Sequence, residues 1–400
     1  SEPPNVAHVR GTNNAELYVR EHDGVWLVIS SIDNLVRGAS GQAGQMLLQN
    51  AAGKFIASDT AVFGKAWLSE DVDAVFFDAN NDNAPDLYVV SGGNQFDDGD
   101  PRLADHLYIN DGKGHFTMAE GAIPNLLKNK SCVTVADIDK DGDNDLFVGG
   151  LADAKRFGIS QPSYLLLNDG KGHFSQAGAS QIKLDNLGIV TTASFTDLDK
   201  NGWPDLVVAG EWMDVKIFRN NNGRFTETAI PASTGLWQSV YSTDVNGDGF
   251  MDILAGNWGH NSKLYAGKNG PVKLYIKDFD NNGSVEQVMA YTIDKKEYTF
   301  LAKDELERPL PVLKKAYLKY SEVAGKTVDY MFYDLFKDYT ERKAETLGSC
   351  CFINDGKGGF TKQDLPDMLQ LAPVFSFAPA SPAVSGEYLA GGNFYGVVPY

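Results

Sequence analysis

Cysteine is nearly missing from this 400-residue chain, which has only Cys132, Cys350 and Cys351. That excludes a disulfide scaffold. Neighbouring residues of a strand face opposite ways, so at most one of Cys350 and Cys351 can meet Cys132, and buried free thiols are the expectation. Long apolar runs are also missing: no stretch of eighteen occurs, so no helix is expected to span a membrane. Cationic residues are in deficit, with 35 Lys and Arg against 53 Asp and Glu and a formal net charge of −18. Such a balance argues against a general nucleic-acid surface, which needs clustered Lys and Arg. The six histidines, His8, His22, His106, His115, His173 and His260, show no H-x-x-x-H or H-E-x-x-H spacing. A G-x-S-x-G elbow, a P-loop and a zinc-binding cysteine pair are missing too. No charged-then-apolar leader precedes Ser1, and the opening SEPPN reads as the start of a mature or trimmed chain.

What the chain does have is glycine, aromatics and clustered acid. Its 41 Gly, 17 Tyr and 22 Phe, with helical periodicity confined to one region, predict many short strands joined by tight turns. The acid is concentrated in stretches such as DIDKDGDNDLFVGG over 137–150. Here Asp137, Asp139, Asp141 and Asp145 stand at positions 1, 3, 5 and 9, and Gly142 stands at position 6, where a sharp turn favours positive φ. An oxygen-rich loop of this kind suits a hard cation, and Ca²⁺ better than Mg²⁺, which prefers fewer carboxylates and more water. The pattern recurs as DANNDNAPDLYVV from Asp78, DLDKNGWPDLVVA from Asp197, DVNGDGFMDILAG from Asp244 and DFDNNGSVEQV from Asp278. The five loops hold 17 acids, so five bound Ca²⁺ would bring the net charge to about −8.

A second element alternates with the first: LLQNAAGKF, LYINDGKGHF, LLLNDGKGHF, IFRNNNGRF and CFINDGKGGF, each an apolar strand, an Asn/Asp/Gly turn and a strand opening on Phe. That is a β-hairpin signature. A unit then reads strand A, acidic loop, strand B, variable loop, strand C, tight turn, strand D. Repeated four-stranded units of this size predict an all-β fold, a β-propeller of about seven blades spanning 1–400 as one domain. The count includes KLYAGKNGPVKLYI near Lys263 and the N-terminal pair AELYVRE and VWLVISS. Over 288–347 apolar residues recur at spacings of three and four, which predicts a helical insertion in the fifth blade between its strands B and C, with Asp304 capping a helix and Pro309 and Pro311 breaking it. In such a meander the A–B and C–D connections share one face. The acidic loops and tight turns therefore lie opposite the variable loops.

The motif D-x-D-x-[DN]-G-x-x-D before an apolar strand and Gly-Gly resembles the FG-GAP/VCBS repeat of integrin α-subunit heads and bacterial surface propellers. The GNWG and GGNFYG signatures and the helical insert look most like secreted VCBS-repeat proteins of Bacteroidetes-type bacteria. The resemblance covers Leu47 to about Phe394 and implies three to five Ca²⁺. Besides the loop at Asp137 it implies ligands at Asp197, Asp199, Asn201 and Asp205, at Asp244, Asn246, Asp248 and Asp252, and at Asp278, Asp280, Asn282 and Glu286. The first loop offers Asp78, Asn80, Asp82 and Asp86 but has Asn83 in place of glycine, a residue that tolerates the left-handed region. A sixth loop near Phe377 lacks its acids.

Catalysis has weaker support, because the acid pairs that would suggest glycoside hydrolysis read better as metal ligands. On the variable-loop face, Arg102, Arg156, Trp212, Trp237, Asn257, Trp258, His260 and Asn261 offer aromatic planes with amide and guanidinium donors, which suit a glycan or a protein partner. The opposing reading is that Trp212 and Trp258 fill gaps between blades. The expected function is a non-catalytic protein- or glycan-binding module on the cell exterior, on a bacterial outer membrane, with any membrane association made through a partner or an anchor. The alternatives are a polysaccharide lyase or hydrolase and an architectural subunit of an outer-membrane assembly.

Overall fold

The structure, a computed structural model, describes residues 60–265, 270–380 and 386–392 and the backbone of the strands that precede them. His8, the His22 side chain, the 50–54 turn of LLQNAAGKF, the 266–269 tip of KLYAGKNG and the end of GGNFYG lie outside the described residues. The first sheet is an antiparallel meander of β1 (Val9–Arg10), β2 (Glu16–His22), β3 (Val25–Ser31), β4 (Gln45–Gln49) and β5 (Phe55–Ser58), so the two N-terminal strands and the LLQNAAGKF hairpin belong together. A single turn, α1 (Thr60–Phe63), leads to the second sheet: β6 (Asp71–Phe77), β7 (Asp86–Ser91), β8 (His106–Asn110) and β9 (Phe116–Met118). The third repeats that order with β10 (Lys130–Ala136), β11 (Asp145–Gly150), β12 (Tyr164–Asn168) and β13 (Phe174–Gln176). The fourth has β14 (Ile189–Thr196), β15 (Asp205–Met213), β16 (Lys216–Asn221) and β17 (Arg224–Ala229), with the two-residue β18 (Gly235–Leu236) added beside β15.

The next sheet departs from the expected meander. Strands β19 (Ser239–Thr243) and β20 (Asp252–Gly256) pair as A and B, but the chain then makes a separate sheet from β21 (Val272–Lys277), β22 (Glu286–Ile293), β23 (Lys296–Thr299) and β24 (Thr340–Ala344), ordered β23-β22-β21-β24. Only afterwards do β25 (Cys350–Asn354) and β26 (Phe360–Asp364) return to complete the order β19-β20-β25-β26. This corrects the sequence reading in two places. The CFINDGKGGF hairpin serves the acidic loop at Asp244, and the loop at Asp278 sits in a nested sheet. The helical segment comprises α2 (Lys303–Leu306), α3 (Pro311–Ala316), α4 (Tyr320–Val323) and α5 (Val328–Phe332), and it joins β23 to β24 rather than a strand B to a strand C. Pro311 opens α3 at a position that needs no backbone donor. Asp304 caps nothing; Glu305 accepts from the Ala302 N–H at 2.8 Å, and Asp304 takes the Tyr320 hydroxyl instead. A two-stranded sheet, β27 (Ser376–Pro379) and β28 (Tyr388–Gly391), follows.

Burial separates the two kinds of sheet. Strands β7 and β11 are buried at every residue, because each has packed layers on both faces. Val75, Phe77, Tyr88 and Val90 of the second sheet share one apolar layer with Leu146, Val148, Tyr164 and Leu166 of the third. In contrast β22 alternates, with Glu286, Val288, Ala290 and Thr292 inside and their neighbours half-exposed. Its inner face packs on Leu306, Leu310, Leu313, Val328, Met331 and Phe332, so the short helices cover one side of the nested sheet. Turns too short to be stable alone are thus held by the apolar surface they cover. The chain falls into two compact units, residues 1–155, 160–206 and 218–227 in one and 156–159, 207–217 and 228–400 in the other. Among the described residues no helix is long and apolar enough to cross a membrane.

Candidate metal centres

The five acidic loops share one backbone design. In each, the N–H of position 6 donates to the carboxylate at position 1: Asn83 to Asp78 at 2.7 Å, Gly142 to Asp137 at 3.2 Å, Gly202 to Asp197 at 2.8 Å, Gly249 to Asp244 at 2.7 Å and Gly283 to Asp278 at 2.8 Å. The side chain at position 5 accepts from the N–H of position 7, as Asp141 does from Asp143 at 2.9 Å and Asn201 from Trp203 at 2.7 Å. Position 6 is left-handed throughout; Asn83 has φ 67° and Gly142 φ 95°. Position 4 is left-handed too, including Lys140 at 61° and Lys200 at 60°. The sequence reading did not anticipate that second site, since lysine gives no hint of it.

The acid at position 9 lies beneath the loop. Asp86, Asp145, Asp205 and Asp252 are buried, and each accepts from the position 2 N–H, at 2.9 Å from Ala79 and 3.2 Å from Ile138, for example. Their other oxygen accepts from the N–H of an asparagine at the end of strand C, or one residue before it for Asn220: Asn110 at 2.7 Å, Asn168 at 2.9 Å, Asn220 at 2.7 Å and Asn354 at 2.8 Å. The side-chain amides of these asparagines donate to loop carbonyls, and two reach the preceding loop, Asn168 to Ala79 at 2.9 Å and Asn220 to Ile138 at 2.8 Å. The tight turns therefore do more than reverse the chain, a role that their recurrent Asn could have signalled. Glu286 breaks the series: it accepts from Phe279 at 2.9 Å, and among the described residues no strand-C asparagine donates to it. Burial pushes the Asp145 carboxyl up to about 7 and that of Asp86 to about 6, against the pull of their N–H donors.

Three loops bring their acids together. Ligand oxygens of Asp137, Asp139 and Asp145 lie within 4.8 Å of one another, as do those of Asp197, Asp199 and Asp205 and those of Asp278, Asp280 and Glu286. In the other two, position 3 is asparagine and its amide turns to the neighbouring acid, Asn80 to Asp82 at 3.0 Å and Asn246 to Asp248 at 2.9 Å. Fit to a cation can be judged from oxygens with nothing to bond. The Oδ1 atoms of Asp137, Asp139 and Asp280 are buried without a hydrogen-bond partner. Such atoms are costly unless something positive meets them, and an all-oxygen set of carboxylates and amides fits Ca²⁺. Asp139 is held above the usual carboxylate range by burial and by Asp141 and Asp137 beside it, the mutual repulsion that a cation relieves.

Residues 78–148 and 197–255 match the FG-GAP-like repeat, and 236–275 match the FG-GAP repeat. The chain carries FG-GAP repeats. The matched residues hold the first four acidic loops, while the fifth, in the nested sheet, lies beyond them. The FG-GAP match runs on past β20 into β21, although β20 pairs with β25. No curated protein matches the chain significantly. Among solved structures, the V. cholerae biofilm matrix protein Bap1 aligns at 12% identity and a TM-score of 0.30, over 72% of this chain and 37% of that one. The chain thus spans well under half of that protein's length, and a likeness at this level carries no argument about function.

The residues expected to meet a ligand are dispersed. Trp237 is fully buried, donates to the Ser233 carbonyl at 2.8 Å and packs edge-on to Phe352 at 5.7 Å. Asn257 is also fully buried and holds the Leu236 and Trp258 N–H groups and the Thr346 carbonyl. Trp212, 5% exposed, is forced to φ 60° where a bulge shifts β15 against β18. These three side chains fill the interior, and at Gly235 a Cβ would come within 2.9 Å of the Trp237 ring, so the glycine leaves that ring its room. Arg102 is paired with Asp100 at 2.6 Å and lies over the Phe96 ring, and His260 stacks on Tyr265 at 4.0 Å. Trp258 is half-buried, and Arg156 and Asn261 are exposed.

Proposed function

We propose that the chain is an extracellular, calcium-braced β-propeller of about seven blades that acts as a non-catalytic binding module for a protein or glycan. The observation that carries this reading is the set of three convergent acid triads, two of which hold buried oxygens without a partner. Bound Ca²⁺ would supply positive charge to those oxygens and tie strand A to strand B. Asp137, Asp139, Asp141 and Asp145, the loop at Asp197 and the loop at Asp278 would hold it, and the two asparagine-containing loops would bind more weakly. Loops of this chemistry suit a compartment with millimolar calcium, which supports a location outside the cell. The position 9 acids are occupied by backbone donors, which leaves them poorly placed for acid–base chemistry.

Calorimetric titration and thermal melts of the chelated protein test the calcium half. Each loop held at a hundredfold excess over its Kd should contribute about 2.7 kcal/mol to the folded state. A melt indifferent to EDTA would sink it. A glycan array with a product assay tests the other half: binding without turnover supports the module, and new reducing ends or unsaturated products would identify an enzyme.

A further inference from the structure

The nested sheet and its helices enclose a groove of about 550 Å³, within the ~300–1,000 Å³ of ordinary ligand sites. One wall is the β22–β23 turn, where Asp294 (φ 48°) and Lys295 (φ 63°) both take the left-handed conformation that hairpins usually give to Asn-Gly. That turn sets Lys295 and Lys296 on the rim, and Lys326 faces them from the segment before α5. All three are exposed, and none makes an ion pair among the described residues. Tyr298 and Tyr330 supply the flat surfaces, while Phe336 packs inward on Tyr275 and Tyr339; Tyr330 is 50% exposed, and Lys326 Nζ stands 4.6 Å from its ring centre. Of the two acids in the lining, Glu297 is neutralised by Lys273 at 2.8 Å and bonded by the Tyr275 hydroxyl, which leaves Asp329. A chain of net charge −18 therefore has here a concave surface with cationic excess and a half-exposed aromatic ring, Tyr330, beside the half-buried Tyr298.

We propose that this groove binds an acidic polysaccharide, with Lys295, Lys296 and Lys326 meeting its carboxylates and Tyr298 and Tyr330 packing on the apolar faces of its sugar rings. The inference rests on the glycan branch of the binding-module reading and supplies its ligand class and its place. Lysine is a point charge without a bidentate fork, so it suits carboxylates spread along a chain. Nucleic acid is disfavoured, because it carries a charge every ~1.7 Å of duplex axis and would be repelled by the acidic remainder of the surface. A uronan spaces its charges one per sugar.

The test is titration of the full calcium-loaded chain with polygalacturonate and alginate oligosaccharides, with dextran and single-stranded DNA beside them. Lys296→Glu, Lys326→Glu and Tyr330→Ala are compared with Lys314→Glu, an exposed lysine of α3 outside the groove. All four are surface changes, and only variants that melt like wild type are scored. The expected result is uronan binding that weakens with salt, falls at least tenfold in each groove variant and is unchanged in Lys314→Glu. Uronan binding insensitive to the groove variants would overturn the groove while leaving a glycan-binding module standing. Binding of neutral glycans alone would do the same. Tighter binding of DNA than of uronan would assign the groove to nucleic acid and overturn the proposal, and failure to bind either uronan or dextran would overturn it together with the glycan branch, leaving only the protein-binding branch of the module reading.

Discussion

Asn168→Ala should destabilise the unit that holds the second and third sheets by about 2–4 kcal/mol. The side chain is buried at 8% exposure, and its amide donates to the Ala79 carbonyl at 2.9 Å and the Asn144 carbonyl at 3.2 Å, while its oxygen accepts from Gly170 at 3.2 Å. Each of the three bonds contributes ~0.5–1.5 kcal/mol net, and truncation leaves the carbonyl of fully buried Ala79 unpaired, at a cost of ~1–3 kcal/mol. The Asn168 N–H bond to Asp145 survives in alanine, so only the side-chain role is removed. Urea unfolding followed by tryptophan fluorescence in calcium is the assay, with exposed Lys171→Ala as the reference. A loss of ~3 kcal/mol at an m-value of ~3 kcal/mol/M lowers the midpoint by about 1 M. Asn168→Asp, which keeps the shape but loses the donor and faces two carbonyls, should do at least as much damage. Equal midpoints for Asn168→Ala and Lys171→Ala, or rescue by Asp, would refute the argument that this amide staples one loop to the next.

Asp280→Asn removes the acid whose buried Oδ1 has no partner from the nested loop; calorimetry should then count one Ca²⁺ fewer or show that site at least tenfold weaker, and an unchanged isotherm would remove the loop from the set. Trp237→Ala should cost ~3–5 kcal/mol in a melt, because a fully buried ring is replaced by a cavity. Asp71 is raised to about 7 by burial, with Asp105 and Glu70 adding repulsion, so its proton is held more tightly in the folded chain than in the unfolded one. Ionising it therefore costs stability, a cost absent below about pH 4, growing to about pH 7 and full above that. Asp71→Asn should accordingly stabilise by on the order of 1–3 kcal/mol more at pH 8 than at pH 4.5, and denaturation midpoints that move in parallel at the two values would contradict it.

The loops and hairpins are legible in the sequence because each is local: nine residues decide one and ten the other. Strand partnership is not local. QVMA of β22 and DILAG of β20 are equally good apolar B strands, and period alone assigns the last hairpin to the nearer. The structure gives it to the farther one, where Asn354 meets Asp252. The residue that distinguishes them is visible in hindsight, for position 9 is Asp in every loop that takes a hairpin asparagine and Glu in the one that does not. Burial of Trp212 was legible as the gap-filling reading, whereas that of Trp237 was hidden for a related reason. A tryptophan after a strand looks like a rim residue until the room that Gly235 leaves for the Trp237 ring is seen.

The nesting of one sheet inside another also bears on how the chain is made. Between β20 and β25 lie roughly 90 residues, and synthesis at ~5–20 residues per second separates the two strands by about 5–20 s. For that interval β20, apolar and destined to be central, has an open edge. Such an edge invites pairing with the wrong strand. The nested sheet, whose own strands are complete before β25 emerges, can fold during the wait and bring the ends of the excursion together. A part of the molecule that looks like decoration in the finished fold would then serve as a timing element that delivers β25 to the strand waiting for it.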